Sequence, residues 1–338
     1  VPKQEREKMD SDAAVLVLVE LDADKEIIPL SLECVTAAKR LAKVWGGRTV
    51  ALVMGSGVAA AAREMSCYGV DHVLLVDHPA LESYQAELYL SAFLQVWERH
   101  KPKAILVGDT LTSVDLAPRI AFSLDAGLVT DCVAIRADTP DICFMKPVYS
   151  SNVMAAYTFI SDPWIITLRP RVEEAAPKAD PGRSQVIPVE VKLDLSATKT
   201  ELIQRVIEGA EGIKLAEAHI IVSGGRGMGG PEGFARLVEL AKVLNAAVGA
   251  SRPPCDLGWV PSQWQVGQTG AKVAPSVYIA AGISGATQHV AGMQSSKKIV
   301  AINRDPKANI FRIADYGVVG ACEEVLPAFR EALAETLR

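Results

Sequence analysis

Apolar and polar positions alternate along the first part of the chain on two different periods. Ala14–Val19, Thr49–Met54, His72–Val76 and Ala104–Val107 are short, nearly unbroken apolar runs rich in β-branched residues. Leu32–Val44, Ala59–Tyr68, Ala80–His100 and a segment from about Ser113 repeat their apolar positions at helical spacing instead. Strands that are apolar on both sides must be covered on both faces. This β-α-β-α order therefore predicts a parallel sheet sandwiched by helices.

The rhythm then changes. Leu128–Ile135, Ile142–Val148, Val153–Thr158 and Trp164–Leu168 follow one another with no helical repeat between them, which predicts an antiparallel extension on the parallel core. Pro170, Pro177, Pro181, Gly182 and Pro188 punctuate the next stretch, a linker with an extended piece at Val186–Leu193. Alternation returns afterwards. Strands are expected at His219–Val222, Ala246–Gly249, Val277–Ala281, Ile299–Ile302 and Gly317–Val319, with helices at Pro231–Leu244, Gly285–Met293 and Cys322–Leu337. The fold class is α/β in two domains, the second a doubly wound domain of about five parallel strands. The expected division is a flexible tail over residues 1–12, a domain over 13–170, a linker over 171–200 and a second domain over 201–338.

Composition narrows the chemistry. A chain of 338 residues is long enough for two full cores. No apolar run approaches the roughly 20 residues that span a bilayer. The net charge of −5, with no basic stripe interleaved with aromatics, argues against a nucleic-acid partner. The polar, mixed-charge start at Val1–Lys8 has no apolar core of a leader, so the cytoplasm is the default location. Six cysteines show no C-x-x-C spacing and do not pair with the five histidines, so no metal site is expected.

Candidate chemistry gathers in the second half. Gly225-Arg226-Gly227-Met228-Gly229-Gly230 fits G-x-G-x-x-G between a strand and a helix. Glycines there let the backbone approach a diphosphate. Two readings stay open, a nucleotide site of non-standard type or a ligand-free tight turn. The next strand, Ala246–Gly249, lacks the terminal acid that would hold a ribose. Ser251–Pro275 has neither period, yet carries Trp259, Trp264 and the donors Ser251, Arg252, Gln265, Gln268 and Thr269. Unpatterned stretches of that length inside a domain are usually functional, and a capping insertion is the competing reading. A second glycine turn, Gly282-Ile283-Ser284-Gly285, opens a helix with Gln288 and His289; Ser284 reads as its N-cap. Asn303, and behind it Asp315, are candidates for an adenosine end. Gly108-Asp109-Thr110 and Asp115 read as a turn with a helix cap.

Taken in order, these segments resemble the α subunit of electron-transfer flavoproteins. The likeness runs through Val222–Gly227, Val248–Arg252, Gln265–Gly270, Gly282–Met293, Ile302–Pro306 and Ile313–Gly317, and more loosely through Lys146–Tyr149 and Thr167–Pro170. It implies FAD held by the second domain, a β subunit packed against the chain, and electrons exchanged with an acyl-CoA dehydrogenase or similar flavoprotein. It implies that Arg226, Ser251, Ser284 and Asn303 hold the diphosphate and sugar. Arg252, Gln265, Thr269, Gln288 and His289 would surround the flavin ring, with Arg252 and Thr269 near N5 and His289 at O2. Val266, Gly267, Gly282, Gly285 and Asp315 complete the implied set. The sequence departs from the family at Gly320-Ala321-Cys322, where an acidic residue is usual. An alternative is an electron-bifurcating variant using NADH and a second FAD on the β subunit. A nicotinamide-dependent dehydrogenase is the rival from another class.

Overall fold

The computed structural model describes residues 14–137, 141–149, 153–179, 184–200, 202–204, 213–215 and 218–336. The expected tail over residues 1–12 lies outside them. The chain divides into two compact units, Val1–Val148 with Asn152–Arg205, and Tyr149–Ser151 with Val206–Arg338.

The first unit begins β1 (Val15–Val19), α1 (Pro29–Trp45), β2 (Thr49–Gly55), α2 (Ala59–Met65), β3 (His72–Asp77), α3 (Ala86–His100), β4 (Ala104–Gly108) and α4 (Leu111–Leu124). It continues with β5 (Gly127–Cys132), β6 (Ala134–Arg136), β7 (Cys143–Val148), β8 (Val153–Tyr157), β9 (Trp164–Leu168) and β10 (Gln185–Pro188). Seven strands form one sheet in the order β10-β3-β2-β1-β4-β9-β5. Every pairing in it is parallel. The unbroken apolar strands have the reason expected. Val15, Val17 and Val19 enter one core with α1 and α2, while Leu16 and Leu18 enter a second with α3 and α4. Each such buried side chain contributes about 1.5–3 kcal/mol of transfer free energy.

Local signals set the helix ends. Pro29 opens α1, where its missing N–H costs nothing, and Gly46 closes it in the left-handed region. The Thr110 hydroxyl accepts from Ser113 N–H and the Ser113 hydroxyl accepts from Thr110 N–H, a reciprocal cap that starts α4. The helix expected from Ala80 begins only at Ala86, because Pro79–Leu81 forms a separate 3₁₀ turn.

The expected antiparallel extension is narrower than the sequence suggested. Among the strands of the described residues, β6, β7 and β8 alone pair antiparallel, as a small separate sheet. Trp164–Leu168, grouped with that extension by its lack of a preceding helix, instead lies parallel between β4 and β5 inside the large sheet. The β5–β9 register shifts between Val129 and Cys132, and Asp131 adopts a positive φ of 59° there. Arg169 locks this irregularity. Its Nε donates to Asp131 Oδ1 at 2.8 Å and its Nη2 to Oδ2 at 2.7 Å. Residues 185–188 of the proline-rich stretch form β10, an edge strand on β3.

The second unit contains β11 (Ile220–Gly224), α5 (Pro231–Leu244), β12 (Ala247–Ala250), α6 (Arg252–Asp256), β13 (Val277–Ala281), α7 (Thr287–Met293), β14 (Lys298–Asn303), β15 (Tyr316–Val319) and α8 (Cys322–Thr336). Its five strands are all parallel, ordered β12-β11-β13-β14-β15. Helices α5 and α8 cover one face through Phe234, Leu237, Leu240 and Leu326. The other face is covered by α7 and part of the unpatterned stretch, through Met293, Val266 and Val273. That explains how so long a non-repeating segment stays ordered: its valines are core residues. Helix α7 starts at Thr287 with Ala286 as its cap, so Ser284 is not the N-cap.

Candidate functional site

The strand order of the second unit reverses at β11, whose successor β12 lies on one side and β13 on the other. Open α/β sheets leave a crevice at the C-terminal ends of such strands. A cleft of about 800 Å³ lies there. It is lined from the turn after β11 (Arg226, Gly227), the start of the long loop after β12 (Ser251, Arg252), the loop over residues 265–269, the second glycine turn and α7, and the turn after β14 (Asn303, Arg304, Lys307).

Close backbone approach builds the floor. Gly227 N–H donates to Gly282 O at 3.0 Å and Gly225 N–H to Ala281 O at 2.8 Å. A β-carbon on Gly225 would lie 2.3 Å from the Gly282 oxygen, so the two glycine turns can stack only without side chains. The loop over 265–271 is pinned in the same way. Val266 N–H donates to Ala250 O at 2.8 Å, and Gln268 N–H to Gln288 O at 2.7 Å.

The side chains facing the cleft sort into two groups. Arg226, Arg252, Arg304 and Lys307 supply four cations against one carboxylate, Asp305. In a chain of net negative charge this concentration of cations suits a polyanion such as a diphosphate. Ser251, Ser284, Gln265, Thr269 and Gln288 add hydroxyl and amide groups. Gln265 Nε2 donates to Thr269 Oγ1 at 2.9 Å. The Thr269 oxygen is thereby engaged as acceptor, and its own proton is available to a further partner. Arg252 Nε lies 3.0 Å from Asp256 Oδ2, one helical turn on. With side chains 66% and 59% exposed, this is a surface ion pair that leaves the guanidinium free to turn toward a ligand.

His289 forms part of the buried wall. Its Nδ1 is 2.9 Å from Val266 O and its Nε2 is 3.1 Å from the Tyr278 hydroxyl. Burial holds its pKa down to about 4, against a smaller opposing effect of the Val266 carbonyl. The ring is neutral at physiological pH. Both ring nitrogens have partners within the domain.

Most of the residues singled out by sequence meet in this one cleft: Arg226, Ser251, Arg252, Gln265, Val266, Gly267, Thr269, Gly282, Ser284, Gln288, His289 and Asn303 all line it. Asn303 does so with its side chain engaged, Nδ2 donating to Ile283 O and Oδ1 accepting from Asp305 N–H, so it shapes the turn. Two residues are not brought in. Gly285 packs behind the wall, where a β-carbon would lie 2.2 Å from Ile310 N. Asp315 sits at the opposite end of the sheet, accepting from Lys298 Nζ and Ile299 N–H at the start of β14. The G-x-G-x-x-G reading is also revised. Arg226 and Gly227 reach the cleft, but Gly229, Gly230 and the first residue of α5 do not line it. Arg226–Met228 forms a 3₁₀ turn that separates them. The cations Arg304 and Lys307 were not singled out. Arg304 lies in the turn Asn303-Arg304-Asp305-Pro306 and Lys307 directly follows it, so their place after β14 and their charge are the signals that find them.

Known proteins extend this picture. Residues 15–194 match the family described as electron transfer flavoprotein domain, and residues 214–294 match the electron transfer flavoprotein FAD-binding domain. The latter match contains the glycine turns, the loop over 265–269 and α7. The chain is 40% identical to electron transfer flavoprotein subunit alpha of Bacillus subtilis over 318 residues, 94% of this chain and 96% of that one. It is 40% identical to the protein of the same description from Thermoanaerobacterium thermosaccharolyticum over 310 residues, 91% and 94% of the two chains. It is 36% identical to the LctC subunit of lactate dehydrogenase (NAD(+),ferredoxin) of Acetobacterium woodii, over 89% of this chain and 72% of that one. Cleft, cations and sequence kinship agree: the chain belongs to the electron transfer flavoprotein α-subunit family, and its second unit is an FAD-binding domain.

Proposed function

We propose that the chain works as one half of a heterodimer with a β subunit, taking electrons from a flavoprotein dehydrogenase of the acyl-CoA dehydrogenase type and passing them to a further acceptor in the cytoplasm. The observation that carries this reading is the cation-lined cleft at the strand-order reversal, with Gln265, Thr269 and His289 grouped along it. When bound, FAD supplies the redox chemistry, and the chain supplies binding, orientation and electrostatics. Arg226, Ser251 and Ser284 hold the diphosphate and sugar, with Arg304 and Lys307 adding charge. The Gln265 amide orients the Thr269 hydroxyl so that its proton points to a ligand atom. Arg252 places a permanent positive charge at the mouth. The buried wall formed by Val266 and His289 excludes water from that side of the ring.

The test is to purify the chain with its β subunit, record the visible flavin spectrum, and mix the complex with an acyl-CoA dehydrogenase and its acyl-CoA substrate. Bleaching of the flavin at a rate dependent on dehydrogenase concentration is expected. A complex with no bound flavin, or one that stays oxidised, would overturn the proposal. The name of the Acetobacterium woodii relative, a subunit of lactate dehydrogenase (NAD(+),ferredoxin), favours a bifurcating complex as the second reading. Two flavins per heterodimer with reduction by NADH would select it.

Arg252 gives a finer prediction. Arg252→Ala is expected to lower the FAD midpoint potential, because a fixed cation near the ring favours the more negative reduced state. Since the side chain is mostly exposed, the effect should shrink as salt rises toward 1 M. An unchanged potential at low ionic strength would remove Arg252 from the cofactor's electrostatics.

A further inference from the structure

Behind the cleft wall a hydrogen-bonded chain ties His289 to Tyr278, a residue that the proposed function does not use. Tyr278 is fully buried on β13, and its hydroxyl meets His289 Nε2 at 3.1 Å. The other ring nitrogen, Nδ1, lies 2.9 Å from Val266 O. A carbonyl oxygen can only accept, so Nδ1 carries the proton. A neutral imidazole has one N–H, which makes Nε2 the acceptor and the Tyr278 hydroxyl the donor. Val266 belongs to the cleft loop and His289 to α7, so the ring joins both cleft elements to the central strand.

We propose that Tyr278 is a positioning residue for the cofactor: by donating to Nε2 it completes a two-point clamp that holds His289 as the Nδ1–H tautomer, with its ring fixed at the cleft wall. This deepens the proposed function and rests on it. His289 then influences FAD through a fixed, neutral ring, and its Nε2 becomes available to the cleft only if the Tyr278 bond opens. Burial supports the assignment from both sides. It holds the imidazole pKa down to about 4 and pushes the phenol pKa up, so both partners keep the protons that the clamp requires near neutral pH.

The test uses the FAD-loaded heterodimer labelled with ¹⁵N-histidine, the His289 signals being assigned by their loss in His289→Ala. Wild-type protein should show a protonated Nδ1 and an unprotonated, hydrogen-bonded Nε2. In Tyr278→Phe the Nε2 resonance should move downfield to that of a nitrogen without a donor, while Nδ1 stays. The same variant should shift the FAD midpoint potential by the equivalent of about a tenfold change in the one-electron equilibrium, about 59 mV. In the His289→Ala background, Tyr278→Phe should add no further shift. An Nε2–H tautomer in wild-type protein would overturn the proposal whether or not the variant folds. So would an equal potential shift in both backgrounds, because Tyr278 would then act through the fold and not through His289. Failure to bind FAD would instead overturn the proposed function, and the tautomer would still be read in the flavin-free protein.

Discussion

Gly292→Val is expected to strip the cleft of FAD while leaving the first unit folded. Gly292 lies in α7, where a β-carbon would sit 2.4 Å from Gly267 N and 2.5 Å from Gly267 Cα. Those are backbone atoms, so no rotamer change relieves the contact. The two segments are also tied together, since Val273 N–H donates to Gly292 O at 2.7 Å and Gln268 N–H to Gln288 O at 2.7 Å. A valine must push the loop bearing Gln265, Val266 and Thr269 off the helix bearing Gln288 and His289. Overpacking of this kind costs about 1–3 kcal/mol or more, and the displaced groups are the ones that line the cleft. A loss of FAD affinity of about five- to 140-fold follows, since each 1.4 kcal/mol is tenfold. Quenching of flavin fluorescence on titration into flavin-free protein measures it. Retention of wild-type affinity would mean that the loop is not a rigid part of the site.

Arg169→Ala should produce the largest change in stability. The Arg169 and Asp131 side chains are only 7% and 19% exposed, and they meet through two charge-assisted hydrogen bonds. Removing the cation leaves a carboxylate in a poorly solvated place, which costs about 3–5 kcal/mol. Urea unfolding of the first unit should reveal the loss. Adding Asp131→Asn to the same chain should recover part of it, because the uncompensated charge is then gone. A loss below about 1 kcal/mol would show that the pair behaves as a surface salt bridge.

Elements with chemical punctuation were legible in the sequence. Helix α5 runs over Pro231–Leu244 as expected, because proline marks its first turn and Asn245 ends it in the left-handed region. Strand β13 matches Val277–Ala281 because it is a continuous apolar run bounded by Ser276 and Gly282. Pairing partners were less legible. Nothing in Trp164–Leu168 records that its neighbours are β4 and β5, since apolar periodicity reports burial and not direction. The site followed the same division. Residues at or just after a strand's C-terminal end, such as Arg226, Ser251, Gly282 and Asn303, were brought together by the topology itself. Asp315 precedes its strand and therefore falls at the other end of the sheet. The Gln265–Thr269 pair and the Tyr278–His289 clamp depend on side-chain direction, which spacing alone does not encode.

The edge strand β10 has a consequence for how the protein emerges during synthesis. Val186 and Ile187 pair with Val73 and Leu74, more than a hundred positions earlier. Until Pro188 has left the ribosome, β3 stands as an open edge with free N–H and C=O groups on one side, the kind of template that recruits a second nascent chain. The first unit therefore has a period of exposure in translation that ends with a segment lying beyond its last helix. That edge closes once residues 185–188 are clear of the ribosome and can pair with β3.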